Sequence, residues 1–209
     1  MKELYRENLW NKIHEEINSL KKDESMQKFF NKNILNFSNL TDSITYLISN
    51  KLTNDDIPEG NIIDNVREAF LDNGILIAIE EDINEVFKKD PACNYYFQPL
   101  LFYKGFHSIT AYRVANYWLN EKPSFSMYIQ SIVSEKFNVD IHPNAKIGKG
   151  IMVDHASGVV IGETAQIGDY SSLFHGVTLG GVGSEKGQRH PKIGKNVMLS
   201  ANSTLVGNF

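Results

Sequence analysis

Cysteine is almost missing from this sequence: Cys93 stands alone among 209 residues, so no intrachain disulfide can form, which suits a reducing compartment. No apolar run approaches the roughly 20 residues that cross a bilayer. The opening MKELYRENLW has neither the apolar core nor the cleavage site of a signal peptide. Cationic excess is also lacking, with 21 Lys and Arg against 25 Asp and Glu, a net charge of -4 and no block of like charges. That excludes the electrostatic footprint of a nucleic-acid binder. The expectation is a cytoplasmic protein with no membrane and no nucleic-acid partner. What is present is core material: 42% of the residues are hydrophobic, enough for one or two packed domains.

Two hydrophobic periods divide the chain. Up to about residue 138 the spacing is helical, as in Trp10, Ile13, Ile17 and Leu20, in Ile44, Leu47, Ile48 and Leu52, in Ile79, Ile83 and Val86, and in Tyr103, Phe106, Thr110 and Val114. Asp90-Pro91 interrupts the pattern, because proline disfavours a helical residue before it. At least five helices are expected, with their stripes serving as core.

After Asp140 the period becomes six: Ile141, Ile147 and Val153, then Ile161, Ile167, Leu173 and Leu179, then Ile193, Leu199 and Leu205. Glycine often follows the repeating aliphatic, and a small or β-branched residue often stands four places after it. One aliphatic per short strand, buried only by stacking on its neighbours, is the pattern of a parallel β-helix. Two interruptions stand out: two extra residues between Val153 and Ile161, and eight between Leu179 and Ile193. The second must leave the coil as a loop. The predicted organisation is α+β: an all-α helical domain at residues 1–138, which would also oligomerise, then a β-helix at 139–209 with a protruding loop at 180–192.

Four of the six histidines, His142, His155, His175 and His190, follow residue 140. Histidine is the side chain best suited to take a proton near neutral pH. Three stretches surround them: DPACNYYFQPLLFYKGFHSITAYRVANYW from Asp90, VDIHPNAKIGKGIMVDHASGVVIGETAQIG from Val139, and HGVTLGGVGSEKGQRHPKIG from His175. These resemble serine acetyltransferase, of the hexapeptide-repeat acyltransferase superfamily, over roughly the second half of the chain. The ladder alone marks the superfamily; GFH, VDIHP, DHASG and RHPKIG in this order are specific to the serine enzyme.

The resemblance implies a left-handed β-helix and acetyl transfer from acetyl-CoA to the hydroxyl of L-serine, giving O-acetyl-L-serine for cysteine biosynthesis. No metal is implied. By motif, His155 matches the general base and Asp140 the carboxylate that orients it, while Asp90 and Asp154 match partners for the serine ammonium. Arg189 has the fork that pairs with a carboxylate, and His190 is the second histidine facing the substrate. Gly180, Gly181, Lys192 and Ala201 are the candidates for acetyl-CoA, in a cleft between neighbouring subunits; each glycine also reads as a turn and the alanine as core. Lys186 could add charge near the phosphates. Val182 and the SAN run at Ser200–Asn202 depart from the family's small residues there. The family also implies trimers or dimers of trimers, and feedback inhibition by L-cysteine. Relative to the family the chain is truncated at its C-terminus, ending after about three coils. That predicts weaker acetyl-CoA binding and loss of docking to O-acetylserine sulfhydrylase.

Rival readings remain: another hexapeptide acetyltransferase with a sugar or xenobiotic acceptor, a zinc lyase with His155, His175 and His190 as ligands, and a scaffold without activity.

Overall fold

In the computed structural model, which describes residues 2–20, 24–54, 57–183 and 186–209, helices fill the chain up to Phe137 and strands begin at Val139. Residues 184 and 185 of the expected loop, and scattered residues of the expected helical domain, lie outside the described set. The helices are α1 (Lys2–Ser19), α2 (Glu24–Phe30) running into a π-helical turn (Asn31–Leu35), α3 (Leu40–Leu52), α4 (Glu59–Phe70), α5 (Asn73–Lys89), α6 (Phe97–Phe102), α7 (Lys104–Trp118) and α8 (Pro123–Phe137). Local chemistry sets their ends. Asn39 caps α3 by accepting from the Asp42 N–H, and Asp72 caps α5 by accepting from the N–H groups of Gly74 and Ile75. Pro123 opens α8, and Asn138 closes it in the left-handed region at φ 56°, a conformation that asparagine tolerates. Tyr103, expected within a helical stripe, instead sits just before α7 with extended backbone.

The helical stripes point into one continuous core: Ile13, Ile44, Ile48, Leu52, Ile79 and Ile83 are essentially inaccessible and join the aliphatic interior of the β-helix. Among the described residues ten short strands make three parallel sheets that form the faces of a prism. The first sheet holds β1 (Val139–Ile141), β4 (Val159–Ile161), β7 (Thr178–Gly180) and β10 (Thr204–Val206). The second holds β2 (Lys146–Ile147), β5 (Gln166–Ile167) and β8 (Lys192–Ile193); the third holds β3 (Met152–Val153), β6 (Ser172–Leu173) and β9 (Met198–Leu199). Pairing registers locate the interruptions. Val160 lies on Thr178, one regular coil of 18 residues on. Val139 lies on Val159 and Met152 on Ser172, 20 residues on, and Gln166 lies on Lys192, 26 residues on. The first coil thus carries the two extra residues, and the eight extra ones bulge between β7 and β8.

Buried charge ties the two halves together. Asp82 of α5 receives Arg113 Nη2 of α7 at 2.7 Å and the N–H of Ile151 at 2.6 Å, while Arg113 also donates to the Gly148 carbonyl at 2.9 Å. Nearby, His107 is buried in α7 and donates from Nε2 to the Leu100 carbonyl at 2.9 Å. Desolvation, then the charge of Lys51, pushes its pKa down from 6.5 to about 3. The unfolded chain therefore takes this proton first as pH falls. Stability should be full above about pH 6.5 and decline toward pH 3, by about 1.4 kcal/mol per pH unit from this group. Thermal melts at successive pH values should show that decline, and His107→Gln should make it shallower; an unchanged slope in the variant would refute the assignment.

Candidate active site

The first interruption of the repeat carries the first group of candidates. Between β3 and β4 the chain turns a corner with three positions in the left-handed region: His155 at φ 56°, Ala156 at φ 61° and, two residues on, Gly158 at φ 76°. Ala156 tucks inward, fully buried, while the His155 side chain is thrown outward with 71% of its surface exposed. Two anchors hold this turn. The Gly158 N–H donates to the Asn138 carbonyl at 2.7 Å, and Lys104, at the start of α7, donates from Nζ to Ser157 Oγ. Next to Lys104, Gly105 lets the helix end press on β3: a Cβ there would stand 1.9 Å from the Val153 carbonyl oxygen.

His155 faces a cleft of about 490 Å³ lined by Asp90, Ala92, Phe102, Tyr103, Lys104, Gly105, Val153, Asp154 and His155 itself. Asp90 reaches it from the end of α5, with Oδ1 accepting the Ala92 N–H at 2.8 Å. Asp154 Oδ2 stands 3.6 Å from His155 Nε2. One coil along, the His175 ring lies edge-on to His155, centroids 5.7 Å apart, and its Nδ1 is buried without a hydrogen-bond partner among the described residues.

Asp140 has a different partner in this structure. Placed on β1, it accepts instead from Gln130 Nε2 of α8 at 2.7 Å, and among the described residues the carboxylate within ion-pair reach of His155 is Asp154. The reason is that Asp140 is fixed in a strand flanked by α8, whereas His155 swings out on the inserted corner.

The second interruption carries the second group, on another corner of the prism. Arg189 and His190 lie just before β8 and dock onto the turn after β4. Arg189 Nη2 donates to Glu163 Oε2, and the Arg189 N–H donates to Thr164 Oγ1 at 3.0 Å. The Thr164 N–H and hydroxyl both meet His190 Nδ1, at 3.2 and 2.8 Å, so Nδ1 is the acceptor and Nε2 carries the proton. A Cβ on Gly162 would fall 2.0 Å from His190 Nε2, and one on Gly181 3.0 Å from it; the ring occupies a slot that both glycines leave open. Desolvation, then the Arg189 charge, lowers the His190 pKa, while the hydrogen bond from Arg189 lowers that of Glu163. Arg189 is thus pre-aimed, with the carboxylate it already holds belonging to the protein. Sequence reading missed Glu163, Thr164 and Lys104, and took His175 up only as a zinc ligand of a rival reading, although the glycine-acid pair beside the repeat aliphatic Ile161 was visible.

Of the acetyl-CoA candidates, Gly180 is half-buried at the end of β7, Gly181, Lys192 and Ala201 are exposed, and Ala201 is a surface residue rather than core. His155 and His175 are neighbours, but His190 belongs to the other corner. Among the described residues no group of three or more His, Cys, Asp or Glu is arranged to hold a metal ion, so the zinc arrangement is not formed within one chain.

A parallel β-helix of six-residue rungs, with a histidine and two carboxylates on one corner and a preset arginine-histidine pair on another, defines a hexapeptide-repeat acyltransferase. A family model described as serine acetyltransferase, N-terminal, matches residues 9–111. Serine acetyltransferase of Buchnera aphidicola subsp. Acyrthosiphon pisum is 45% identical over 205 residues, spanning 96% of this chain and 75% of its own. Among solved structures, Neisseria gonorrhoeae serine acetyltransferase in complex with serine superposes with a TM-score of 0.91 at 39% identity, covering 96% of this chain and 83% of that one. A serine acetyltransferase complex with cysteine gives 0.93 at 41%, and one with CoA 0.90 at 40%, each covering 96% of this chain and 85% of its own. The chain belongs to the serine acetyltransferase family.

Proposed function

We propose that this protein transfers the acetyl group of acetyl-CoA to the hydroxyl of L-serine, with His155 taking the hydroxyl proton as oxygen attacks the thioester carbonyl. The observation that carries the reading is the split between the two corners. An amino acid needs anions for its ammonium and a cation for its carboxylate. Asp90 and Asp154 stand beside His155, while Arg189 and His190 are held by Glu163 and Thr164 on a different edge of the same prism.

A three-fold arrangement of prisms would bring one edge of each against the other edge of its neighbour, completing a site from two chains. Trimers, joined by the helical domains, are therefore part of the proposal. Serine would sit with its carboxylate on Arg189 and His190, its ammonium on Asp90 and Asp154, and its hydroxyl on His155. Asp140 would become the carboxylate of His155 when the ring turns inward onto that hydroxyl, since catalytic hydrogen bonds often tighten only in the reacting complex. Acetyl-CoA would lay its amide-bearing arm along the strand edge at Gly180 and Gly181, near Ala201, with Lys192 offering charge. L-cysteine differs from serine by one atom and would occupy the same contacts as a competitive inhibitor. A cytoplasmic setting is the final part of the reading, supported by a free, buried Cys93; among the described residues no helix is long and apolar enough to cross a membrane.

The test is thiol release from acetyl-CoA by the purified chain with L-serine, with a galactoside and with no acceptor. Serine-dependent release is expected, suppressed by added L-cysteine. Equal release with the galactoside, or none with serine from a folded protein, would overturn the reading.

A further inference from the structure

The corner that carries His155 leaves the strand ladder for two residues. On one side the Asp154 N–H donates to the Leu173 carbonyl at 2.8 Å, and on the other the Gly176 N–H donates to the Ser157 carbonyl at 2.9 Å. Between those points His155 and Ala156 both stand in the left-handed region, at φ 56° and 61°, a conformation that residues with a Cβ keep only where their surroundings enforce it. The backbone bonds inside the turn are local, from the Ala156 N–H to the Asp154 carbonyl at 2.6 Å and from the Ser157 N–H to the His155 carbonyl at 2.7 Å. A side chain from the helical half crosses to the same turn: Lys104 donates from Nζ to Ser157 Oγ.

Lys104 is itself firmly seated at the start of α7. Its carbonyl accepts from Ser108 Oγ at 2.7 Å. The next residue, Gly105, lies so close to β3 that a Cβ would stand 1.9 Å from the Val153 carbonyl oxygen. The lysine stem therefore starts from a point fixed against the strand that leads into the corner, and Lys104 and His155 line one cleft. Rotating His155 and Ala156 out of the left-handed region would carry Ser157 Oγ away from the ammonium, so this bond favours the turn in its present shape. We propose that Lys104 is a positioning residue for acetyl transfer, clamping Ser157 so that His155 keeps its aim on the acceptor hydroxyl. The inference rests on the reading of His155 as the base.

Proton removal demands alignment as the transition state forms. Slackening the corner should therefore lower kcat and leave the binding of either substrate largely alone. Lys104→Met keeps an apolar stem and removes the donor. Its kcat should fall about five- to fiftyfold, the scale of one hydrogen bond to a charged group, with the KM values for L-serine and acetyl-CoA within about threefold of the parent. Ser157→Ala should reproduce the loss, and the double variant should be within about twofold of either single one, because the same bond is missing in all three. Lys104→Arg restores a cationic donor and should recover most of the rate. In a His155→Asn background, adding Lys104→Met should change the residual kcat by less than about twofold, because the clamp acts through the ring already lost. Parental kcat in Ser157→Ala beside a slow Lys104→Met, or a loss confined to the serine KM, would overturn the proposal while leaving serine acetylation intact. Absence of serine-dependent thiol release by the unmodified protein would overturn the functional reading and this inference with it.

Discussion

Replacing His155 with asparagine is expected to lower kcat by about 10²–10⁴-fold, the range for removing a general base, with the fold unchanged. Asparagine is the replacement of choice because position 155 sits at φ 56°, where asparagine is tolerated and alanine is strained. The exposed ring makes no contact that the core depends on, so a stability cost would be small. The loss should fall on kcat with the serine KM little changed, since the ring's main work is done as the proton moves. Steady-state kinetics with L-serine and acetyl-CoA, alongside circular dichroism, decide it: a loss under about tenfold in a folded variant would remove His155 from the role.

The largest expected effect on stability comes from Arg113→Met. Asp82 is completely buried, and Arg113 supplies two of its contacts, from Nε at 3.1 Å and from Nη2 at 2.7 Å. Removing one partner of such a pair costs about 3–5 kcal/mol, because a desolvated charge is left behind, and for a chain of this size that is a fall of about 10 °C in Tm. Burial already pushes the Asp82 carboxyl up, outweighing the attraction of Arg113. Without the arginine the carboxyl moves further toward protonation, so the variant's deficit should shrink as pH falls. Thermal melts near pH 8 and near pH 5 test both parts; a deficit below about 1 kcal/mol at the higher pH would show that the pair is replaceable by packing.

Much of this was legible in the sequence. Strict recurrence every six residues gave the rungs, and both breaks in the count, after Val153 and after Leu179, coincide with the corners where His155 and Arg189 stand. A break in a repeat is readable because the repeat itself is the expectation. Helical stripes were readable for the same reason, since Ile44, Leu47, Ile48 and Leu52 follow one face, and all are buried. Partnerships across the fold were not. Nothing in the spacing tells that Glu163 will hold Arg189 or that Gln130 will take Asp140, because each contact joins segments brought together only by coiling or by helix packing. Among the described residues eight α-helices exceed the minimum of five; α2 and α6, at seven and six residues, are too short to show the repeated i, i+3, i+4, i+7 stripe.

The placement of the two half-sites on separate corners also bears on inheritance. In the proposed assembly a chain damaged only at His155 still lends a sound Arg189 to one neighbour, and a chain damaged only at Arg189 still lends a sound His155 to the other. Each such lesion silences one shared site rather than two, so two different defective alleles in one cell could restore what neither encodes alone, and selection would act on the company a chain keeps as much as on the chain.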